Sequence, residues 1–183
     1  MTLDEALEQL RAGDLDHVAE LRAEVEAFCL DHPDALMRSS ASAHLTASAL
    51  VVDPVDRRVV LLHHRKLGRW LQPGGHADGD GDLAAVALRE AAEETGLDGL
   101  TVMRPAVDID IHRVAPPGER PHRHLDVRYL VLAPPGSARL GPPPGNAESH
   151  EVRWVHAADL GDFEVDASVH RLVERGLARL AML

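Results

Sequence analysis

The spacing of apolar residues divides the chain into two regimes. At the start the period is helical: Thr2 with Glu5 three residues later forms a capping-box pattern that leads into a helix over residues 3–12. A second helix is predicted to start near Asp14 or Asp16. It carries Leu15, Val18, Leu21, Val25 and Phe28 on one face and stops before Pro33. From His44 the period shortens to that of strands. Residues 44–52 and 58–63 read as two strands around the turn Asp53-Pro54-Val55-Asp56. A glycine-rich loop over 74–81 then feeds a helix over about 82–95, closed by Gly96 as the residue after the last turn. Strands follow at 100–107, 108–114 and 122–132, an irregular Pro/Gly-rich loop at 133–145, and a short strand at 151–156. Asp166 caps a last helix whose inner face holds Val169, Leu172, Val173, Leu177 and Leu180. This order fits an α/β fold: one mixed sheet with helices on both sides, an α/β/α sandwich with extra helices at each end. The boundaries read as an N-terminal helical extension over 1–43, a main domain over 44–160 and a C-terminal helix over 161–183 packed on it.

Composition narrows the setting. Apolar residues make up 45% of the 183-residue chain and charged residues 27%, values of an ordinary globular domain rather than a disordered one. The longest apolar runs are strand-sized, far short of a membrane span. The start Met-Thr-Leu-Asp-Glu has neither a basic segment nor an apolar signal core, so a soluble cytoplasmic protein is expected. The formal charge of −11 argues against non-specific nucleic-acid binding, although it leaves a phosphate ligand open because local fields and bound cations decide that. Cys29 is the only cysteine; its spacing among Leu21, Val25 and Phe28 makes it a buried structural thiol.

One segment stands out chemically. On the helix over 82–95, Glu90, Glu93 and Glu94 stand at i, i+3 and i+4, so three carboxylates share one face. Their mutual repulsion does nothing for stability, whereas a hard cation such as Mg²⁺ or Mn²⁺ would convert it into coordination. A solvated acidic face is the competing reading by spacing alone. The glycine-rich entry and the closing Gly96 favour the metal, because they describe a loop bent tightly into a carboxylate helix.

Gly75, Arg89, Glu90, Ala91, Glu93, Glu94, Gly96 and Leu97 fall in register on the signature of the Nudix superfamily, and the run from Gly68 to Gly75 resembles its approach strand. One position departs: Gly81 stands where the family has its first Glu, a residue that often pairs with the Arg that is here Arg89. Asp80 and Asp82 flank the gap and are candidates to substitute. The resemblance covers roughly residues 44–160. It implies metal-dependent hydrolysis of a diphosphate linkage in a nucleoside diphosphate joined to another group. It also implies Glu90, Glu93, Glu94 and the main-chain carbonyl of Gly75 as ligands of Mg²⁺, with Mn²⁺ as an alternative.

The general base is less fixed. Glu148 lies in a loop before Trp154, a place similar to the loop Glu of diadenosine tetraphosphate hydrolases, and is the first candidate, with Glu90 second. Arg65 and Arg128 are candidate phosphate contacts. Asp108, Asp110 and His112 share one strand face, as do His122, His124 and Asp126 on the next. That face is either an exposed polar surface or a pocket in which His112, His124 and Asp126 bind phosphate or an extra metal. Trp70, Tyr129 and Phe163 are candidates to stack a base. His76 follows Gly74-Gly75 at a position similar to a metal-binding His of isopentenyl-diphosphate isomerases. Those relatives need a Cys where this chain has Gly74, so isomerase chemistry is disfavoured. A catalytically weak Nudix domain acting as a nucleotide-binding sensor or adaptor is the alternative, and Gly81 is the feature that favours it. The expected partner is a small diphosphate, with neither nucleic acid nor membrane, and the N-terminal helices are candidates for a homodimer surface.

Overall fold

The structure is a computed structural model that describes residues 2–115, 118 and 120–183. Helix α1 (Leu3–Ala12) begins as the capping pattern requires, with the Thr2 amide donating to the Glu5 carboxylate at 2.9 Å. A 3₁₀ turn (Asp16–Val18) leads into α2 (Ala19–Asp31), which ends just before Pro33. Strands β1 (Ala43–Val52), β2 (Arg58–His64), β3 (Arg69–Leu71) and β4 (Gly74–His76) precede α3 (Leu83–Thr95). Then come β5 (Thr101–Val114), β6 (His122–Leu132), β7 (Ser149–His156) and α4 (Ala167–Leu180). Among the described residues no helix is long and apolar enough to cross a membrane.

The strands form one mixed sheet in the order β3-β2-β1-β6-β5, with β4 also paired to β1 and β7 to β2. β1 and β6 run parallel, with His44 opposite His124, Thr46 opposite Asp126 and Ser48 opposite Arg128; the other pairs are antiparallel. β1 is covered on both faces, and its alternation sorts side chains between two cores. Leu45, Ala47, Ala49 and Val51 point with Leu125, Val127 and Tyr129 of β6 toward Leu83, Val86, Ala87 and Ala91 of α3. The first two helices add Leu7, Leu10, Val25 and Cys29 to that same core. Leu50 and Val52 point the other way, with Leu61 and Leu130, onto Val169, Leu172 and Val173 of α4. The α/β/α arrangement expected from the sequence is therefore present. Truncating a side chain such as Leu83 or Leu125 to Ala would cost about 2–5 kcal/mol through the cavity left behind.

Three boundaries differ from the sequence reading. Residues 101–114 form one strand rather than two, because both halves pair with the continuous β6; the ladder breaks only between Met103 and Asp108, around Pro105, which has no amide to donate. The glycine-rich entry to α3 opens as a short strand, since Gly74, Gly75 and His76 pair with Ser48, Ala47 and Thr46. β7 begins at Ser149, two residues earlier than expected, by pairing with His64.

Several polar residues on the α4 side of the sheet are enclosed. Asp108, Asp126, Arg128 and His44 are all buried. Arg128 sits at the centre: its Nε donates to Asp126 at 2.8 Å, and its terminal nitrogens donate to the carbonyl and hydroxyl of Ser168 at the start of α4, each at 3.1 Å. Those nitrogens also pair with Asp108 and Asp110, both at 3.4 Å. From α4, Arg171 reaches Asp108 at 2.9 Å and Asp110 at 3.3 Å. At Asp108, Asp126 and Arg128 the expectation of an exposed face or phosphate pocket fails, because α4 covers this end of the face and its own groups complete the ion pairs.

Candidate active site

Helix α3 is held at both ends. Asp82 caps its start by accepting from the Ala85 amide at 3.2 Å, and Gly96 closes its end in the left-handed region at φ 68°. Its carboxylate face meets β4. The Gly74 amide donates to Glu94 at 2.8 Å. A Cβ on Gly75 would overlap the Glu90 carboxylate, so the absent side chain is what lets this carboxylate lie against the strand. Glu94 is buried, Glu90 half-buried and Glu93 exposed, which ranks them from the floor of the site to its rim.

Electrostatics mark the same group. Burial pushes Glu94 up to about 7; the Gly74 amide opposes the shift, while the charges of Glu90, Glu148 and Glu93 add to it. Glu90 is raised by burial, against the pull of Arg89, and further by Glu93 and Glu148. A cluster of carboxylates that resist ionising together is poised to take a cation.

Glu148 reaches this field through a loop tied to α3. The Gly145 amide donates to Thr95 O at 2.9 Å, and the Asn146 side-chain amide donates to Glu93 O at 3.1 Å. Asn146 in turn accepts from the Glu148 amide at 2.9 Å. Arg65 braces the far side: its amide donates to Glu148 O at 3.0 Å and its Nε to Ser149 O at 2.9 Å. Exposed Arg65 thus stands at the root of the Glu148 loop. Asn146 had no signal in the sequence beyond its place in an irregular loop.

Arg89 keeps partners without the missing Glu. It donates to Glu90 at 3.1 Å and to His76 O at 3.4 Å, and pairs loosely with Asp80 at 3.9 Å. Asp82 is committed elsewhere, to the helix cap and to Arg104 at 2.6 Å. Asp80 is therefore the flanking acid that faces Arg89. Gly81 itself is buried beneath Thr2. Gln9 of α1 fixes this junction, donating to Gly81 O at 3.3 Å and accepting from the Ala84 amide at 3.1 Å and the Tyr129 hydroxyl at 2.7 Å.

The remaining candidates divide. Arg128 and Asp126 were expected to meet phosphate, but Arg128 is 2% exposed and its donors are spent on carboxylates and Ser168. Asp126 accepts from Thr46 at 3.0 Å and Ser48 at 2.9 Å besides Arg128. Both are structural. Tyr129 is buried against Gln9 and presents no face to a base, while Trp70 and Phe163 pack edge-on at 5.1 Å. His112 and His124 lie on the sheet face opposite the carboxylates, their rings 5.3 Å apart. Burial and the neighbouring rings of His112, His76, His44 and His122 push His124 down to about 3. Burial would also lower His112, but the hydrogen bond to Asp110 and the charge of Asp126 leave it raised. Cys29 is buried as expected, its thiol pushed up to about 12 by burial and Glu26. A surface hollow of about 540 Å³ at Asp56, Arg57, His156 and Leu177 lies elsewhere, and none of these candidates lines it.

A mixed sheet between helices, with a carboxylate helix against a glycine-rich strand, defines a class of fold, and comparison with known proteins gives it a family. The family model described as NUDIX domain matches residues 42–175, and the chain belongs to the Nudix hydrolase superfamily. No curated protein matches by sequence. Solved structures resemble it in fold. A NUDIX-family hydrolase from Clostridium perfringens is 22% identical, with a TM-score of 0.57 over 76% of this chain and 97% of that one. A C. elegans Ap4A hydrolase in a binary complex is 19% identical, with a TM-score of 0.56 over 76% of this chain and 98% of its own. The NUDIX domain of Shewanella oneidensis NrtR, complexed with ADP ribose, is 22% identical, with a TM-score of 0.53 over 85% and 98%.

Proposed function

We propose that the protein hydrolyses a diphosphate linkage joining a nucleoside to a second group, with a divalent cation, Mg²⁺ or Mn²⁺, held by Glu90, Glu93, Glu94 and the carbonyl of Gly75. The observation that carries this reading is that Glu90 and Glu94 lie against β4, and that the charge of Glu148 reaches both and helps to raise them. The donor set is all oxygen, which suits a hard cation, and Gly75 provides a cradle that any Cβ would fill.

When bound, the cation supplies neutralisation of the diphosphate and Lewis-acid activation of the attacking water. The chain supplies the rest. Glu148, carried on a loop pinned to α3, accepts the proton of that water. Arg65, at the root of the same loop, meets a phosphate oxygen. Buried Glu94 and half-buried Glu90 hold their geometry through Gly74 and Arg89, so little reorganisation is needed when substrate arrives. A nucleotide derivative as substrate is supported by the C. elegans relative, an Ap4A hydrolase, and by the Shewanella domain, which holds ADP ribose. The sensor reading rested on Gly81; with Arg89 still paired and α3 firmly capped, no observation favours it.

The test is a turnover screen of nucleoside triphosphates, nucleotide sugars, dinucleoside polyphosphates and prenyl diphosphates with Mg²⁺ or Mn²⁺, repeated on Glu93→Gln and Glu94→Gln. Turnover that EDTA abolishes, and that each variant lowers by more than about 100-fold, is expected. A folded protein that binds nucleotide and turns nothing over would sink the hydrolase reading in favour of a binding domain.

A further inference from the structure

The sheet face opposite α3 carries a constellation that the carboxylate site does not use. The parallel pairing of β1 with β6 sets His44 beside His124, and the period of β6 brings His122 to the same face. One ring nitrogen from each of the three lies within 4.8 Å of the others. Ring centroids are 5.0 Å apart for His44 and His124, 4.8 Å for His44 and His122, and 5.3 Å for His122 and His124.

Two of the rings are oriented from behind. His44 Nδ1 lies 3.5 Å from Ser40 O, and His122 Nδ1 lies 2.9 Å from Arg120 O. A carbonyl can only accept, so each Nδ1 carries the proton and each Nε2 is left as the lone-pair nitrogen. This is the tautomer and backing that metal-binding histidines show. Nε2 of His44 is then the decisive atom: the residue is 2% exposed, and this nitrogen has no hydrogen-bond partner. Buried polar atoms are seldom left so. Among the described residues no hydrogen bond joins any of these three rings to another, so the cluster does not satisfy itself.

We propose that His44, His122 and His124 bind a zinc ion, at a site separate from the oxygen-ligand site on α3. Three neutral imidazoles select a borderline transition-metal dication over Mg²⁺, which prefers oxygen. A tetrahedral zinc with Zn–N of about 2.0–2.1 Å sets its ligand nitrogens about 3.4 Å apart, a closure of roughly 1.4 Å from the widest separation here. Small rotations of three side chains supply that. The fourth position is for water, on the side lined by His76, whose ring lies 5.0 Å from His44 and 5.1 Å from His124. His112, held by Asp110 at 3.1 Å, lines the other side without being a ligand. The trio differs from the His112, His124 and Asp126 set suggested by strand alternation, because Asp126 is spent on Thr46, Ser48 and Arg128. β4 thus separates two metal chemistries, turning Gly75 toward Glu90 on one face and His76 toward the imidazoles on the other.

The experiment is a Zn²⁺ titration of the metal-stripped full chain by calorimetry, with excess Mg²⁺ present to occupy the carboxylates, followed by Co²⁺ substitution read by visible absorption. One zinc per chain that Mg²⁺ does not displace is expected, together with the intense visible bands of cobalt in a low-coordinate imidazole site. His122→Ala and His124→Ala should each weaken zinc by at least about 100-fold, and His112→Ala should retain it. If His124→Ala does not fold, His122→Ala at the edge of the cluster and the wild-type cobalt spectrum decide. Zinc that Mg²⁺ displaces, equal affinity in folded His122→Ala, or a weak cobalt spectrum typical of six oxygen ligands would overturn the proposal. None of these readouts depends on hydrolytic activity.

Discussion

The main-chain carbonyl of Thr2 occupies the place a Cβ on Gly81 would need, with its carbonyl carbon 2.8 Å from that position. The glycine at the one departure from the Nudix signature is therefore the seat of the N-terminal segment. Since the obstacle is backbone, it cannot rotate away as a side chain would. Gly81→Ala, and more so Gly81→Glu, is expected to destabilise the protein by about 1–3 kcal/mol through overpacking. Urea unfolding checks this. A stability gain on restoring the Glu would mean that the N-terminal segment yields freely.

Glu148 is expected to matter for rate rather than for binding. Glu148→Gln should lower kcat by about 10²–10⁴-fold, the usual contribution of a general base, with KM little changed. Asn146→Ala should give a smaller loss in the same direction, because it frees the loop from Glu93 O while leaving the carboxylate in place. Steady-state kinetics on both variants decide it. An unchanged kcat in Glu148→Gln would move the base to Glu90.

Arg128 should be indispensable to folding. Arg128→Met leaves Asp108, Asp110 and Asp126 without their central cation, at an expected loss of about 3–5 kcal/mol. Arg65→Ala, at an exposed position, should leave the unfolding midpoint nearly unchanged and raise KM. Equal stabilities for the two variants would contradict the assignment of Arg128 as a structural hub.

The same network makes a pH-dependent contribution. Burial alone would raise Asp110, but the hydrogen bond from His112 and the charge of Arg128 hold it down at about 2. A carboxylate so depressed stabilises the fold above its ordinary value of 3.8, and loses that contribution as pH falls from there through about 2. The amount is about 2 kcal/mol. Asp110→Asn should flatten that part of the acid-unfolding profile, seen by circular dichroism at fixed urea. Parallel profiles for variant and wild type would remove Asp110 from the account.

How much the sequence disclosed depended on the range of the interactions involved. The carboxylate helix was legible because i, i+3 and i+4 spacing is a local property, and the capping pairs Thr2–Glu5 and Asp82–Ala85 are local as well. Alternation along β5 and β6 was equally legible, and it put Asp108, Asp110, His112, His124 and Asp126 on one face as the structure does. What alternation could not say is what covers that face. Arg128 read as a free cation until Ser168 and Arg171 of α4 closed over it from forty or more residues away.

The sequence by itself determined the four helices, most of the strands, the three glutamates of α3 and the family, because each is written in the spacing of residues along one continuous segment. Only the tertiary structure decided that His44 joins His122 and His124, that Asn146 fastens Glu148 to the site, and that Gly81 makes room for Thr2. Those relationships arise where parallel pairing, loop return and helix packing bring together distant segments, and a period along one segment carries no information about what will face it.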